Sequence, residues 1–330
     1  MKVAVDAMGG DNSPRVVVQG VLKAVSESGV EAVLVGDERA VALELGGRQM
    51  PAGVGIHHCS EVVGMNEPPL KAVRTKRESS IRVAFELVKQ GKADAVVSAG
   101  NSGAMLAAGI LILGRVEGVE RPGIASVFPG QKGPVVMMDV GANVDCRPFH
   151  LLQFGVLADA FCRACLGIDS PRVGLLNIGE EDGKGNEAVR HAGELFRNCA
   201  LNFFGNVEGR GIFNSKVDAV ICDGFVGNVA LKLVEGVSEA IGGFLEGELS
   251  RSFQGKLSML FGRRAFSGFF ERYDYQAYGG APLLGINGVA IVCHGGSSAK
   301  AIENAVKMAE RYAASGVAEK TAGAVASFRK

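Results

Sequence analysis

Seven short runs rich in valine, isoleucine and leucine recur along the chain, at residues 2–6, 31–36, 93–98, 134–140, 172–178, 217–222 and 289–293. Most of them stop at a glycine or an aspartate. Apolar runs of this length, punctuated by turn residues, read as strands buried in a sheet. Between them apolar residues return at helical spacing over 16–26, 81–90, 105–114, 151–166, 188–198 and 299–312. A chain that alternates strand with helix in this way has few choices. It predicts an α/β sheet, mostly parallel and covered by helices on both faces. No internal repeat or Pro/Ser-rich linker divides the sequence, so one large domain over 1–330 is expected.

Composition narrows the function. Lysine plus arginine number 35 and aspartate plus glutamate 35, so no overall field draws the chain to nucleic acid or to a membrane. The longest apolar stretch, Ala104 to Leu113, is far short of the roughly 20 residues that span a bilayer. Met1 leads into an apolar run too short for a signal peptide, and the expectation is a cytoplasmic protein. Seven scattered cysteines fit reduced thiols, and the Cys162/Cys165 pair, inside a helical pattern, reads as core packing rather than a zinc or redox motif.

The chemistry should lie in the loops that follow the strands, where ligands of such sheets bind. Glycine, at 47 residues, is about twice its usual share of roughly 7% and is concentrated there. Six loops combine glycine with small polar or acidic residues in the same manner. They are Asp6-Ala-Met-Gly9-Gly10-Asp11, Ser98-Ala-Gly-Asn101-Ser102-Gly103, Asp139-Val-Gly-Ala-Asn143-Val-Asp145, Gly183-Lys184-Gly185-Asn186, Asp223-Gly-Phe-Val-Gly-Asn228 and His294-Gly295-Gly-Ser297-Ser298. None is a dinucleotide fingerprint or a nucleotide-triphosphate loop. Glycine N–H groups, serine and asparagine at helix N-termini suit a small anion held without metal or cofactor. Lys184 offers such an anion one positive charge, and Asn186 is placed to cap the next helix. Glu180, Glu181 and Asp182 beside it read as groups that orient the lysine or repel polyphosphates.

Two basic segments stand apart. Over 236–275 the alternation gives way to helical character, with Phe253, Leu257, Leu260 and Phe261, then Phe266, Phe269 and Phe270, among Arg251, Lys256, Arg263, Arg264 and Arg272. Such an arm suits either an anionic membrane surface or a dimer contact. Lys71, Arg74, Lys76, Arg77 and Arg82 follow Glu67-Pro-Pro, a signal that opens a helix, so that Lys71, Arg74 and Arg77 share one face for an acidic partner.

From Met1 to about Tyr312 the sequence resembles the PlsX-type phosphate acyltransferases. The match rests on Val5-Asp-Ala-Met-Gly-Gly-Asp11, the 98–103 and 139–145 loops, Gly174-Leu-Leu-Asn-Ile-Gly179 with Gly183-Lys-Gly-Asn-Glu187, Asp223-Gly-Phe-Val-Gly-Asn228 and Tyr278-Gly-Gly280. Two places differ: relatives often read His-Gly-Ser-Ser-Asp where this chain has His294-Gly-Gly-Ser-Ser298, and an acid where it has Phe149. The resemblance implies a Rossmann-like α/β/α sandwich related to phosphotransacetylases and isopropylmalate-type dehydrogenases, with a protruding helical hairpin in the 236–275 arm. It implies transfer of an acyl group from acyl carrier protein to inorganic phosphate, giving acyl phosphate. It also implies a homodimer at the inner face of the cell membrane, feeding a glycerol 3-phosphate acyltransferase.

That reaction needs no enzyme nucleophile, since phosphate attacks the thioester itself. It needs phosphate held in line and a donor for the oxyanion. The candidate residues are Lys184 and Asn228 for phosphate or oxyanion, and His294 or Asp223 for proton relay. Asp6, Gly9, Gly10, Ser98, Asn101, Ser102, Gly103, Asp139, Asn143, Gly183, Gly185, Asn186, Gly295 and Ser297 are candidate substrate contacts. Lys71, Arg74 and Arg77 are assigned to carrier docking, and Phe261, Arg263, Arg264, Phe266, Phe269 and Phe270 to the membrane. A coenzyme A-dependent phosphate acetyltransferase, a related dehydrogenase and a non-enzymatic scaffold remain as alternatives.

Overall fold

The computed structural model describes residues 1–214, 216–251 and 279–328. Its strands are β1 (Lys2–Asp6), β2 (Glu31–Gly36), β3 (Val54–His58), β4 (Ala95–Ser98), β5 (Gly123–Pro129), β6 (Pro134–Met138), β7 (Val173–Leu176), β8 (Phe203–Val207), β9 (Ala219–Ile221), β10 (Ala281–Leu284) and β11 (Val289–Val292). They form one sheet in the order β3-β2-β1-β4-β11-β10-β5-β6-β9-β7-β8. All pairings are parallel except β11–β10, β10–β5 and β5–β6. Those reversals turn the two halves against each other. The loops after β1, β4 and β11 therefore leave one edge of the sheet, and those after β6, β7 and β9 leave the opposite edge.

The helices are α1 (Arg15–Ser28), α2 (Glu38–Leu45), α3 (Pro69–Thr75), α4 (Ser80–Lys89), α5 (Ser102–Ala108), which runs on into a π-helical turn at Gly109–Leu113, α6 (Pro148–Leu166), α7 (Glu187–Arg197), α8 (Gly224–Ser250), α9 (Ala299–Ala314) and α10 (Val317–Phe328). On one face α1, α2, α6, α7, α9 and α10 bury Val17, Val21, Phe154, Phe161, Phe196 and Ile302. On the other α3, α4 and α5 bury Val73, Phe85 and Met105, and Leu231 and Val234 of α8 pack beside them. Each fully buried phenylalanine or leucine contributes roughly 1.5–3 kcal/mol. Phe161 meets Tyr312 edge to face at 5.1 Å, tying α6 to α9. Among the described helices, α6 is long and apolar enough to cross a membrane, and most of it is buried inside the protein.

The seven predicted strands are present, with ends shifted by up to two residues. Four further strands, β3, β5, β8 and β10, escaped the sequence pattern. In β10 a proline, Pro282, argues against an interior strand. In β5, Gly-Ile-Ala-Ser-Val-Phe-Pro mixes small, polar and apolar residues. The predicted arm also needs correction: its first part belongs to α8, which starts earlier, at Gly224, and runs to Ser250. Phe261, Arg263, Arg264, Phe266, Phe269 and Phe270 lie outside the described residues. Cys162 is buried in α6 and burial pushes its thiol up, as core packing requires.

Candidate active site

Three loops interlock at the first edge of the sheet. Asp6, 2% exposed, accepts hydrogen bonds from Ser98 Oγ at 2.7 Å and from the Met8 N–H at 3.1 Å. Ser98 Oγ in turn accepts from the Gly100 N–H at 2.9 Å. Burial pushes the Asp6 carboxyl above the usual carboxylate range, against the pull of these hydrogen bonds. A Cβ on Gly9 would lie 2.5 Å from Asp6 Oδ2 and 2.7 Å from the Gly100 nitrogen, so only glycine lets the two loops touch. Gly10 takes φ 105° beside the Gly295 carbonyl, and the Asp11 N–H donates to that carbonyl at 2.8 Å. Asp6, Gly9, Gly10 and Ser98 thus build the loop cluster.

Asn101 is a helix cap rather than a ligand contact. Its Oδ1 accepts from the Ala104 N–H at 3.1 Å, and its Nδ2 donates to Met65 O at 2.9 Å and Glu67 O at 3.2 Å. It therefore fixes the start of α5 and draws the 64–67 segment over the site. Gly103 packs against Pro69, where a Cβ would sit 2.6 Å from the ring. His294 Nδ1 accepts from the Gly296 N–H at 3.1 Å, which leaves Nε2 as the N–H donor of the neutral ring. With Nδ1 engaged in this way, the imidazole offers a donor at Nε2.

At the opposite edge the hub is Asp139, with no exposed surface. Its Oδ1 accepts from the N–H groups of Ile124 at 3.0 Å, Gly141 at 3.2 Å and Ala142 at 3.0 Å. Its Oδ2 accepts from the Asn143 N–H at 2.7 Å and Asn143 Nδ2 at 2.9 Å. Burial raises its pKa while these donors oppose the rise. Asn143 Nδ2 also donates to Pro122 O at 2.8 Å. Asp223 Oδ1 accepts from the Phe225 and Val226 N–H groups at 3.0 and 2.9 Å, capping α8. Asp139, Asn143 and Asp223 accordingly hold the framework of these loops, through backbone partners and the Asn143–Asp139 side-chain bond. At the start of α8, Gly227 approaches Asp139 so closely that a Cβ would lie 1.9 Å from its carbonyl oxygen. The next residue, Asn228, is exposed beside Gly141.

A cleft of about 650 Å³ connects the two edges across β11, β10 and β5, with α8 along its side. Ser102, His294, Gly295 and Ser297 from the first group of loops and Gly141 and Asn228 from the second line it. Five of the sequence-predicted residues therefore meet in one cavity: Ser102, Asn228, His294, Gly295 and Ser297. Much of the remaining lining is apolar, with Ile124, Phe128, Phe213, Leu231 and Val234. The sequence reading missed this lining, because Ile124 and Phe128 share a face of β5 with polar Ser126 while Ala125 and Val127 on the other face are also apolar. Cys293 also borders the cleft, but it is 3% exposed and burial pushes its thiol up to about 12, the reverse of an activated nucleophile.

Lys184 is not among the residues lining the cleft. It is exposed on the loop after β7, the edge that also carries the Asp139 and Asp223 loops, and no carboxylate pairs with it among the described residues. The neighbouring acids pair elsewhere: Asp182 with Arg197 at 3.0 Å and Glu180 with Lys216 at 3.1 Å. They do not orient the lysine, contrary to expectation. Asn177 Nδ2 donates to Lys184 O at 3.0 Å, and a Cβ on Gly185 would lie 2.5 Å from Asn177 Oδ1. Gly183 faces open space, and Asn186 caps α7 by accepting from the Val189 N–H at 2.9 Å. In the basic segment Lys71 and Arg74 are exposed on α3, while Arg77 lies beyond its end and is exposed there. Lys76 pairs with Glu67 at 2.6 Å and Arg82 with Glu86 at 2.9 Å.

Comparison with known proteins agrees with this geometry. The family FA_synthesis, described as "Fatty acid synthesis protein", matches residues 1–320. The phosphate acyltransferase of Geobacter sulfurreducens is 52% identical over 98% of this chain and 93% of its own length. That of Nitratidesulfovibrio vulgaris is 54% identical over 94% of this chain and 90% of its own. Among solved structures, a phosphotransacetylase from Streptococcus pyogenes superposes with a TM-score of 0.65 at 17% identity, over 95% of this chain and 94% of its own. The EutD phosphotransacetylase from Staphylococcus aureus gives 0.61 at 16% identity, over the same shares. At these identities the structures speak for a shared fold, the Rossmann-like architecture of phosphotransacetylases. The identity over nearly full length carries the rest: the chain belongs to the PlsX family of phosphate acyltransferases, enzymes of fatty acid and phospholipid synthesis that act on phosphate and an acyl donor.

Proposed function

We propose that the donor is an acyl-acyl-carrier-protein thioester and that the reaction runs toward acyl phosphate. One observation carries this reading: a single cleft joins donor-bearing polar loops to an apolar groove, and the cysteine among its described lining residues, Cys293, is not activated. Phosphate oxygen attacks the thioester carbonyl, the C–S bond breaks, and the carrier leaves as a thiolate that takes up a proton from solvent. Asn228 and His294 Nε2–H hold phosphate and the developing oxyanion, assisted by the backbone N–H of Gly295. Lys184 adds positive charge from the sheet edge it shares with the Asp139 and Asp223 loops. Because the framework carboxylates are held by backbone, they keep these loops in register without competing for the anion.

The carrier, an acidic protein, docks on Lys71, Arg74 and Arg77. Support comes from their exposure and from α3 packing on α5, which begins at Ser102 in the lining of the cleft. The exposed apolar residues of α8, Phe225, Val229, Leu233, Val237 and Ile241, recur every four residues, and a second copy of the chain covers them. Membrane contact is assigned to Phe261, Arg263, Arg264, Phe266, Phe269 and Phe270 from the sequence, on their mix of aromatic and basic character.

Trapping acyl phosphate with hydroxylamine, with acyl-acyl-carrier-protein and acetyl-coenzyme A offered in parallel, tests the reading. Product from the carrier donor is expected. Product from acetyl-coenzyme A alone would replace it with the acetyltransferase alternative. Asn228→Ala should lower turnover by about 10²- to 10³-fold, the loss typical of an oxyanion donor, and Lys184→Ala by a smaller factor because the lysine does not line the cleft. Normal turnover would remove either residue from the mechanism.

A further inference from the structure

The polar lining of the cleft accounts for phosphate and carbonyl, but its apolar lining has no part in that chemistry. Along β5 the strand alternation points Ile124, Ser126 and Phe128 to the face that α8 covers with Leu231 and Val234. Phe128 is 3% exposed and meets the half-buried ring of Phe213 edge to face, centroids 6.0 Å apart at 82°. Phe213 is not a loose loop side chain, because the Gln131 N–H donates to its carbonyl at 3.0 Å. The charged residues bordering this stretch, Lys232 and Glu235, pair with each other at 2.7 Å. Among the described residues, the groove thus presents no free cation to a nucleotide or other polyanion, and its walls suit a ligand that needs no hydrogen bonds.

We propose that the hydrocarbon tail of the acyl donor lies in this groove between β5 and α8, and that the Phe128–Phe213 pair is the wall that sets the accepted chain length. The inference rests on the acyl-transfer reading of the cleft. An alkyl chain threaded between an apolar strand and an apolar helix gains about fourfold in binding per methylene removed from water. The gain ends where the tail meets an edge-to-face pair that cannot part without losing its own packing.

A graded series of saturated acyl donors, each assayed for kcat/KM by hydroxylamine trapping, tests this. In Phe213→Ala the ratio of kcat/KM for donors longer than the wild-type optimum to that at the optimum should rise by about fourfold per added methylene, until the new space is filled. Leu231→Phe narrows the groove and should move the optimum to shorter chains. Should Phe213→Ala fail to fold, Phe213→Leu takes its place. An unchanged chain-length profile in both folded variants overturns the proposal. Absence of acyl phosphate from every donor with the wild-type protein would instead overturn the acyl-transfer reading, which separates the two failures.

Discussion

Replacing Asp139 by asparagine isolates the contribution of one buried charge. The amide keeps a carbonyl oxygen for the N–H groups of Ile124, Gly141 and Ala142, but turns an NH2 toward the Asn143 N–H at 2.7 Å and Asn143 Nδ2 at 2.9 Å. Two hydrogen bonds to a charged acceptor are lost, at roughly 1.5–3 kcal/mol each. Part is regained because a neutral amide is easier to bury than a carboxylate, the same burial that raises the Asp139 pKa. The net is a destabilisation of about 2–4 kcal/mol. With an m-value of roughly 3 kcal/mol/M, the urea midpoint should fall by about 1 M with the slope unchanged. Turnover should fall as well, because Gly141 and Asn228 sit on the segments that Asp139 ties down, and a misplacement of about 1 Å costs about 10²-fold. A midpoint within about 0.3 M of wild type would refute the reasoning, showing that the five donors are satisfied without the charge.

Gly227→Ala would place a Cβ 1.9 Å from the Asp139 carbonyl oxygen, a backbone atom that cannot swing away, so a loss of about 3 kcal/mol or more is expected on thermal or urea unfolding. Wild-type stability in that variant would contradict the close approach of α8 to the Asp139 loop. Glu303 is 1% exposed; burial alone would raise its pKa, but hydrogen bonds from Lys300 and Lys307 hold it down to about 2. Because the folded pKa lies below the unfolded one, its contribution is present above about pH 4.5 and is lost as pH falls toward about 2. The stability gap between wild type and Glu303→Gln should close over that window, and a gap constant with pH would show that the carboxylate is not stabilised as described. Charge reversal at Lys71, Arg74 and Arg77 together should raise KM for the carrier-bound donor about tenfold at low salt and less at high salt. An unchanged KM would move the carrier elsewhere.

What could be read from the sequence divides along a physical line. Strands buried on both faces, such as Ala95–Ser98, announce themselves by continuous apolar runs, and loops such as Asp139 to Asn143 by their turn chemistry. Which of those loop residues face a ligand is another matter. Asp6, Asn101, Asp139 and Asp223 have the right chemistry for binding, yet they hydrogen-bond within the loops, to backbone and, for Asp6 and Asp139, also to the Ser98 and Asn143 side chains, because every loop at a strand end leaves N–H groups that need an acceptor. Local sequence does not say which demand wins. The apolar lining was hidden for a different reason: Phe128, Phe213 and Leu231 are far apart in the chain, and β5 is too mixed in composition to declare its faces.

The order of strands bears on how the protein is made. β10 and β11 come from residues 281–292, yet they occupy the middle of the sheet, between β4 and β5. A ribosome delivers β1 to β9 first, so the facing sides of β4 and β5 leave the exit tunnel with bare N–H and C=O groups and no strand to meet them. The sheet closes at its centre only after residues 281–292 have been translated. Until then the nascent protein carries two open, apolar edges ready to pair with a neighbour. A message truncated before codon 281 would yield a product that aggregates rather than a smaller enzyme.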